Sequence, residues 1–330
     1  MLDAPLTKKL KNYCRKNHFL PPFVETRLIA SLQGQYPSSG VFDFYIPLPS
    51  IILKRYLLIM SKMQFDVAPI SEDRMMKVTL LGTGTSQGVP VVGCQCEVCQ
   101  SADPRDKRLR TSAFVEVDGV HLLIDTGPDL RQQLLREHIT DVDAVLLTHE
   151  HKDHLAGLDD IRPIYFRRKR PMDIYGMQRV LNVVRKDYDY AFKEHPYPGA
   201  PSFQLHPIRH ERFFVQDVEI QPIQVKHLTL PILGYRIGKF AYITDASFVA
   251  DSEMALLEGV EVLVVNALHH EKHYSHFNVE QALQFVEKVN PKHAYLTHSS
   301  HHMGLYADVE KTLPPHVTLG YDGLQFTVGK

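Results

Sequence analysis

The 330-residue sequence predicts a layered α/β fold, and three observations carry that reading. From residue 76 onward, short segments rich in β-branched residues recur, and several are apolar without interruption, as strands covered on both faces are. Between them lies a strongly amphipathic helical segment. Strand after strand also runs out into an aspartate or a histidine, the layout in which the ends of a sheet carry a site.

The elements follow in order. KVTLLGTGTS (77–86) reads as a short apolar strand ending in a Gly/Thr/Ser turn. SAFVEV (112–117), VHLLID (120–125), AVLLT (144–148) and MDIYG (172–176) come next. VEIQPIQV (218–225), FAYITD (240–245), VEVLVV (260–265), AYLTH (294–298) and VTLGY (317–321) complete the strand candidates. NVEQALQFVEKVN (278–290) is the clear helix. Asn278 caps it with Gln281 as capping-box partner; Val279, Ala282, Leu283, Phe285, Val286 and Val289 form its apolar face, and Pro291 stops it. The aromatic, Pro-rich stretch 187–203 is long for a connection and reads as a lid or a surface excursion. Residues 1–74 differ in texture, with no strand alternation, little helical period and several Pro and Gly breaks. They read as an N-terminal extension, or as residues upstream of a true start at Met75 or Met76, ahead of one domain over 75–330.

Composition narrows the classes. A net charge of -1 gives no global attraction to nucleic acid or anionic membrane. No apolar run reaches the roughly 20 residues that span a bilayer; the nearest, 45–60, is broken by Lys54, Arg55 and two prolines. Cys94, Cys96 and Cys99 are clustered while Cys14 stands alone, which reads as a metal knuckle in a reducing compartment and not as a disulfide framework. With no secretory signal evident, the expected location is the cytoplasm.

The stretch 148–157, THEHKDHLAG, concentrates the chemistry. His149 and His151, two apart on the extended exit of a strand, point the same way and can grip one ion. Asp153 and His154 follow where the chain turns and can face a second. Imidazole and carboxylate suit zinc, manganese or iron, and paired ions serve displacement at phosphorus or carbonyl centres.

His-x-His-x-Asp-His after an apolar strand resembles the signature of the metallo-β-lactamase fold hydrolases, and the likeness runs from Met76 to Lys330. Later motifs come in the family's order: Asp125 in LLIDTGPD, His227 in QVKHLTLPILGYRIG, Asp245 in YITDAS and His298 in YLTHSSH. The resemblance implies a four-layer αββα sandwich of two similar halves. It implies a first ion on His149, His151 and His227 and a second on Asp153, His154 and His298. Asp245 and a water or hydroxide would lie between them, with Asp125 behind the ligands.

Local features narrow the resemblance. Cys94, Cys96 and Cys99 offer soft ligands for a tetrahedral zinc, with His301 the expected fourth. That knuckle, with a second histidine after the last motif, resembles the PhnP-type phosphoribosyl 1,2-cyclic phosphodiesterases and relatives of the PqqB type. His276, just before the helix cap, is the expected proton donor to a leaving alkoxide, with Asp153 orienting the nucleophile; His269, His270 and His273 are competitors. Arg105, Lys107, Arg108, Arg110, Arg162 and the run 167–170 either meet phosphate or form an ordinary charged face. The function so implied is hydrolysis of a small, cyclic phosphodiester by metal-bound hydroxide, with zinc or manganese in the active site and one structural zinc. A tRNA 3′-processing nuclease and a non-catalytic PqqB-type binding or carrier protein are the alternatives. Near-neutral charge and the lack of a Gly-rich basic arm speak against nucleic acid as a partner. No membrane partner is expected, and a homodimer stays open.

Overall fold

A computed structural model describes residues 75–329; the expectations for residues 1–74 lie outside them. The strands are β1 (Met75–Gly82), β2 (Ser112–Val117), β3 (Val120–Ile124), β4 (Ala144–Leu146), β5 (Met172–Gly176), β6 (Phe203–Pro207), β7 (Phe213–Val215), β8 (Val218–His227), β9 (Leu230–Ile237), β10 (Phe240–Ile243), β11 (Phe248–Val249), β12 (Val262–Asn266), β13 (His293–Thr297), β14 (Val317–Leu319) and β15 (Gln325–Gly329). The helices are α1 (Glu97–Gln100), α2 (Leu130–Arg136), α3 (Lys152–Leu155), α4 (Arg162–Arg168), α5 (Gln178–Asp187), α6 (Asp251–Met254), α7 (Val279–Val289) and α8 (Tyr306–Val309).

Among the described residues the strands form two sheets, ordered β15-β1-β2-β3-β4-β5-β6 and β11-β8-β9-β10-β12-β13-β14, with β7 paired to β8. Each sheet starts antiparallel and ends parallel: β3 to β6 in the first, β10 to β14 in the second. Alternation explains the continuous apolar runs. Leu122 and Ile124 face the layer between the sheets, while Leu123 faces the outside of the first sheet, under α2 and α5. Tyr242 and Val264 face the middle layer, while Ala241, Ile243, Leu263 and Val265 face α7. Both faces of these strands are therefore covered, and the layers stack α, β, β, α. The αββα sandwich expected from the resemblance is the observed fold.

Helix α7 has the expected Asn278 cap with a complete Gln281 capping box, and it ends at Asn290 in the left-handed region. β6, β7, β9, β11 and β15 were not expected as strands. β9 (LPILGYRI) contains a proline and a glycine, both poor strand formers. It nonetheless pairs along β8 from His227↔Leu230 to Gln221↔Arg236, because burial on the sheet outweighs its propensity.

Parallel pairing decides where the functional residues go. β3 and β4 run together, so Asp125 and His149, just past their ends, reach one rim. β10, β12 and β13 run together, which brings Asp245 and His298 to the corresponding rim of the second sheet. β8 reaches that rim too, because two antiparallel steps through β9 leave it running with β10.

Candidate metal centre

The chain turns sharply at the strand exits. Asp125, Asp245 and His298 are non-glycine residues at φ of 62, 57 and 55°, a left-handed conformation that costs of order 1–3 kcal/mol each. Such a turn ends the strand and swings the side chain over the rim. The His149–His154 loop is held at close range by glycines. A Cβ on Gly127 would lie 2.2 Å from the Asp153 carbonyl oxygen, and one on Gly157 would lie 2.0 Å from that of Gly127. From outside, α5 braces the same loop: Arg179 pairs with Glu150, Lys152 with Asp187, and the Tyr188 hydroxyl donates to the Leu155 carbonyl at 3.0 Å.

The side chains then converge. One ligand atom each from Asp153, His154, Asp245 and His298 lies within 4.8 Å of the others. His154 Nε2 is 3.2 Å from Asp245 and 3.3 Å from Asp153, and His298 Nε2 is 3.1 Å from Asp245. His149, His151 and His227 sit alongside, with ring centroids 4.6 Å apart for the first two and 5.7 and 5.1 Å from each to His227. These three do not close into as tight a group; His227 instead joins Asp245 and His276 within 4.8 Å.

The histidines are oriented from behind. His154 Nδ1 lies 2.7 Å from Asp125 Oδ2, and His227 Nδ1 lies 3.0 and 2.9 Å from the Asp245 and Ser275 carbonyl oxygens. The Thr148 hydroxyl donates to Asp125, which leaves its oxygen to accept from His149 Nδ1 at 3.0 Å. These contacts assign the proton to Nδ1 and leave Nε2 with a free lone pair. The Nε2 atoms of His149, His154 and His298 are buried and without a hydrogen-bond partner.

Charge points the same way. Asp125, Asp153 and Asp245 bring three carboxylates into a largely buried site. Burial pushes Asp125 up, whereas Asp245, opposed by burial but drawn by His298 and His154, stays well below the ordinary carboxylate value. Burial works against a charge on His154, yet Asp245, Asp125 and Asp153 hold it well above the usual histidine value, so the carboxylates draw a second proton onto its Nε2 that a cation would have to displace. Buried negative charge of this kind requires a positive partner. Imidazole nitrogens and carboxylates converging on a common space fit divalent cations. Asp125→Asn is expected to weaken cation binding about 10–100-fold by freeing His154 to rotate, as loss of such an outer partner does; titration against a chromophoric chelator checks it.

His276 stands on the open side. Its Nε2 is 3.0 Å from Asp245 Oδ1, its Nδ1 is 2.9 Å from the Ser275 hydroxyl, and its ring stacks on His298 with centroids 4.9 Å apart. Burial pushes it down to about 4, against the pull of Asp245. A neutral imidazole with its proton on Nε2 satisfies both contacts. The sequence reading did not anticipate the bond to Asp245, which joins residues 31 positions apart. A cleft of about 260 Å³ opens here, lined by Thr85, Ser86, Gln87, His269, His273 and His302 among others. His270 is turned to the Met303 carbonyl.

The second cluster lies beside the first. Cys94, Cys96, Cys99 and His301 each place a ligand atom within 4.8 Å of the others, with both Cys94 and Cys96 Sγ 3.3 Å from His301 Nδ1. The Cys99 backbone N–H and then His301 draw the Cys96 thiol down to about 6, while burial pushes Cys99 up to about 11.

Most of the basic residues singled out in the sequence are engaged elsewhere. Arg105 pairs with Asp103, Arg110 with Asp129, Arg162 with Asp159, and Arg168 and Arg170 with Asp143. A larger cavity of about 430 Å³, lined by Val117, Arg212 and Arg236 among others, holds none of the candidate ligands.

The model of the β-lactamase superfamily domain matches residues 121–299, the span from β3 to just past His298. The chain belongs to the metallo-β-lactamase superfamily. Within it, the chain resembles the PhnP-type enzymes: the crystal structure of a diphosphatase from the PhnP family superposes with a TM-score of 0.73 at 38% identity, covering 77% of this chain and 97% of that one. An octanoyltransferase of Porphyromonas gingivalis is 44% identical over 253 residues, 76% of this chain, and this chain spans only 51% of that protein's length. Zinc-bound PqqB from Methylobacterium extorquens shares the fold, with a TM-score of 0.61 at 20% identity over 76% of this chain and 99% of that one. Proteins of this superfamily are generally hydrolases. Among the described residues no helix is long and apolar enough to cross a membrane.

Proposed function

We propose that this metallo-β-lactamase fold protein hydrolyses a small phosphodiester, a cyclic one by preference, with two divalent cations, zinc or manganese, in its active site. His149, His151 and His227 would hold one cation and Asp153, His154 and His298 the other, with Asp245 between them. When bound, such a pair supplies an acidified water and positive charge to offset the phosphoryl oxygens.

The observation that carries the choice of phosphodiester is His276. Its Nε2 reaches the Asp245 carboxylate at the edge of the cleft; neutral in the free protein, this imidazole would take up a second proton from solvent as an anionic phosphate docks beside it and deliver that proton to the departing oxygen. An alkoxide is a poor leaving group and needs that proton; a thiolate leaves without one, so a thioester would leave His276 without a task. Asp153 and Asp245 orient what lies between the ligands, and the Thr85–Gln87 wall with His269, His273 and His302 offers hydrogen-bonding groups to the rest of the substrate. The PhnP-family diphosphatase supports phosphoryl chemistry. Cys94, Cys96, Cys99 and His301 would hold a third, structural zinc, and thiols kept for that purpose suit the cytoplasm.

The purified protein, loaded with zinc or manganese, is tested on bis(p-nitrophenyl) phosphate, a cyclic alkyl phosphodiester, a diphosphate ester, an octanoyl thioester and a precursor tRNA. Turnover of the phosphodiesters is expected. Turnover of the thioester alone would move the function to acyl chemistry, and turnover of none would favour a binding or carrier protein.

A further inference from the structure

Behind the Thr85–Gln87 wall lie two charged side chains, Arg108 and Asp322, joined through one hydroxyl, that the chemistry above leaves unused. Arg108 is 3% exposed, and its Nη1 donates to Thr83 Oγ1 at 2.8 Å and to the Gly320 carbonyl. Asp322 accepts from the Thr83 N–H and the Thr83 hydroxyl, both at 2.9 Å, from the Leu109 N–H at 2.7 Å, and from Arg136 at 3.4 Å. The Thr83 hydroxyl is therefore the link between the two charges, accepting from one and donating to the other.

Burying two such charges costs desolvation and is weak support for stability; what their shared hold on Thr83 does achieve is to fix one backbone position. That position is next to the metal centre. The Thr83 carbonyl accepts the Ser299 N–H at 2.8 Å, and Gly84 bridges Ser299 as well. Ser299 follows His298, whose left-handed turn has to be held from outside.

We propose that Thr83, clamped between Arg108 and Asp322, is a positioning residue for His298 and sets the affinity of the cation site formed by Asp153, His154 and His298. The proposal rests on His298 as a ligand and is independent of the substrate. Its test is a zinc titration of metal-free protein against a chromophoric chelator, run on Thr83→Val and Thr83→Ser. Valine keeps the shape and removes the hydroxyl; serine keeps the hydroxyl.

Thr83→Val is expected to weaken one active-site cation about 10–100-fold, leaving the other cation and the cysteine-bound zinc unchanged, and Thr83→Ser is expected to restore it. Affinities equal to the unsubstituted protein, a uniform fall at every site, or failure of serine to restore binding overturns the proposal. If Thr83→Val does not fold, Asp322→Asn is read by the same criteria. The titration decides even if no phosphodiester is turned over, so it stands or falls apart from the proposed reaction.

Discussion

Replacing His276 with alanine is expected to lower turnover of an alkyl phosphodiester by about 10²–10⁴-fold, the range ascribed to a positioned proton donor. The cation count should stay the same. His276 touches Asp245 at 3.0 Å, but His154 and His298 approach the same carboxylate at 3.2 and 3.1 Å, so Asp245 keeps its surroundings when His276 is removed. The loss should be much smaller on bis(p-nitrophenyl) phosphate, because p-nitrophenolate is a stable anion that departs without a proton. Equal losses on the two substrates would show that His276 binds phosphate or shapes the cleft instead. Loss of a cation together with activity would make it a ligand, sharing Asp245 with His227 as their convergence within 4.8 Å permits.

Strand existence was legible wherever both faces of a strand are buried, because β4, β10 and β12 then lack polar interruptions. It was illegible where the sheet overrides local preference. β9 carries Pro231 and Gly234, yet the hairpin with β8 holds it, and β6 ends on Pro207, yet β5 holds it from beyond α5. The convergence of the candidate ligands was legible for a different reason. Residues that must meet at a rim stand directly after apolar strands, and the parallel order of those strands brings their ends together. Partners behind the ligands left no local signal: neither Thr83 with Asp322, 239 positions apart, nor His276 with Asp245 belongs to any short motif. The arginines were left open for the same reason, since the carboxylate partners at Asp129, Asp141 and Asp143 are fixed by folding and not by spacing.

Cys96→Ser is expected to remove one zinc per chain, leave the active-site cations bound, and lower the melting temperature by roughly 10 °C. The size follows from mass action. A site filled at about a thousand times its dissociation constant stabilises the folded state by about 4 kcal/mol, and each kcal/mol is worth roughly 2–4 °C in a domain of this size. The knuckle has little else to hold it. Its buried apolar cluster is only Val89, Val98 and Cys99, with Val91, Cys94, Cys96 and Leu305 packed around it, and Val92 is wholly exposed. Four ligands meeting around one point, at 3.3 Å from His301 to two of the sulfurs, are the natural substitute for a missing core. Because His301 lies three residues beyond His298 and lines the same cleft, freeing it should also raise KM more than it lowers kcat. An unchanged zinc count and melting temperature would mean that the thiols stand reduced and unmetallated, with hydrogen bonds such as those from the Val91 and Cys99 N–H groups and from Lys107 keeping the loop in place.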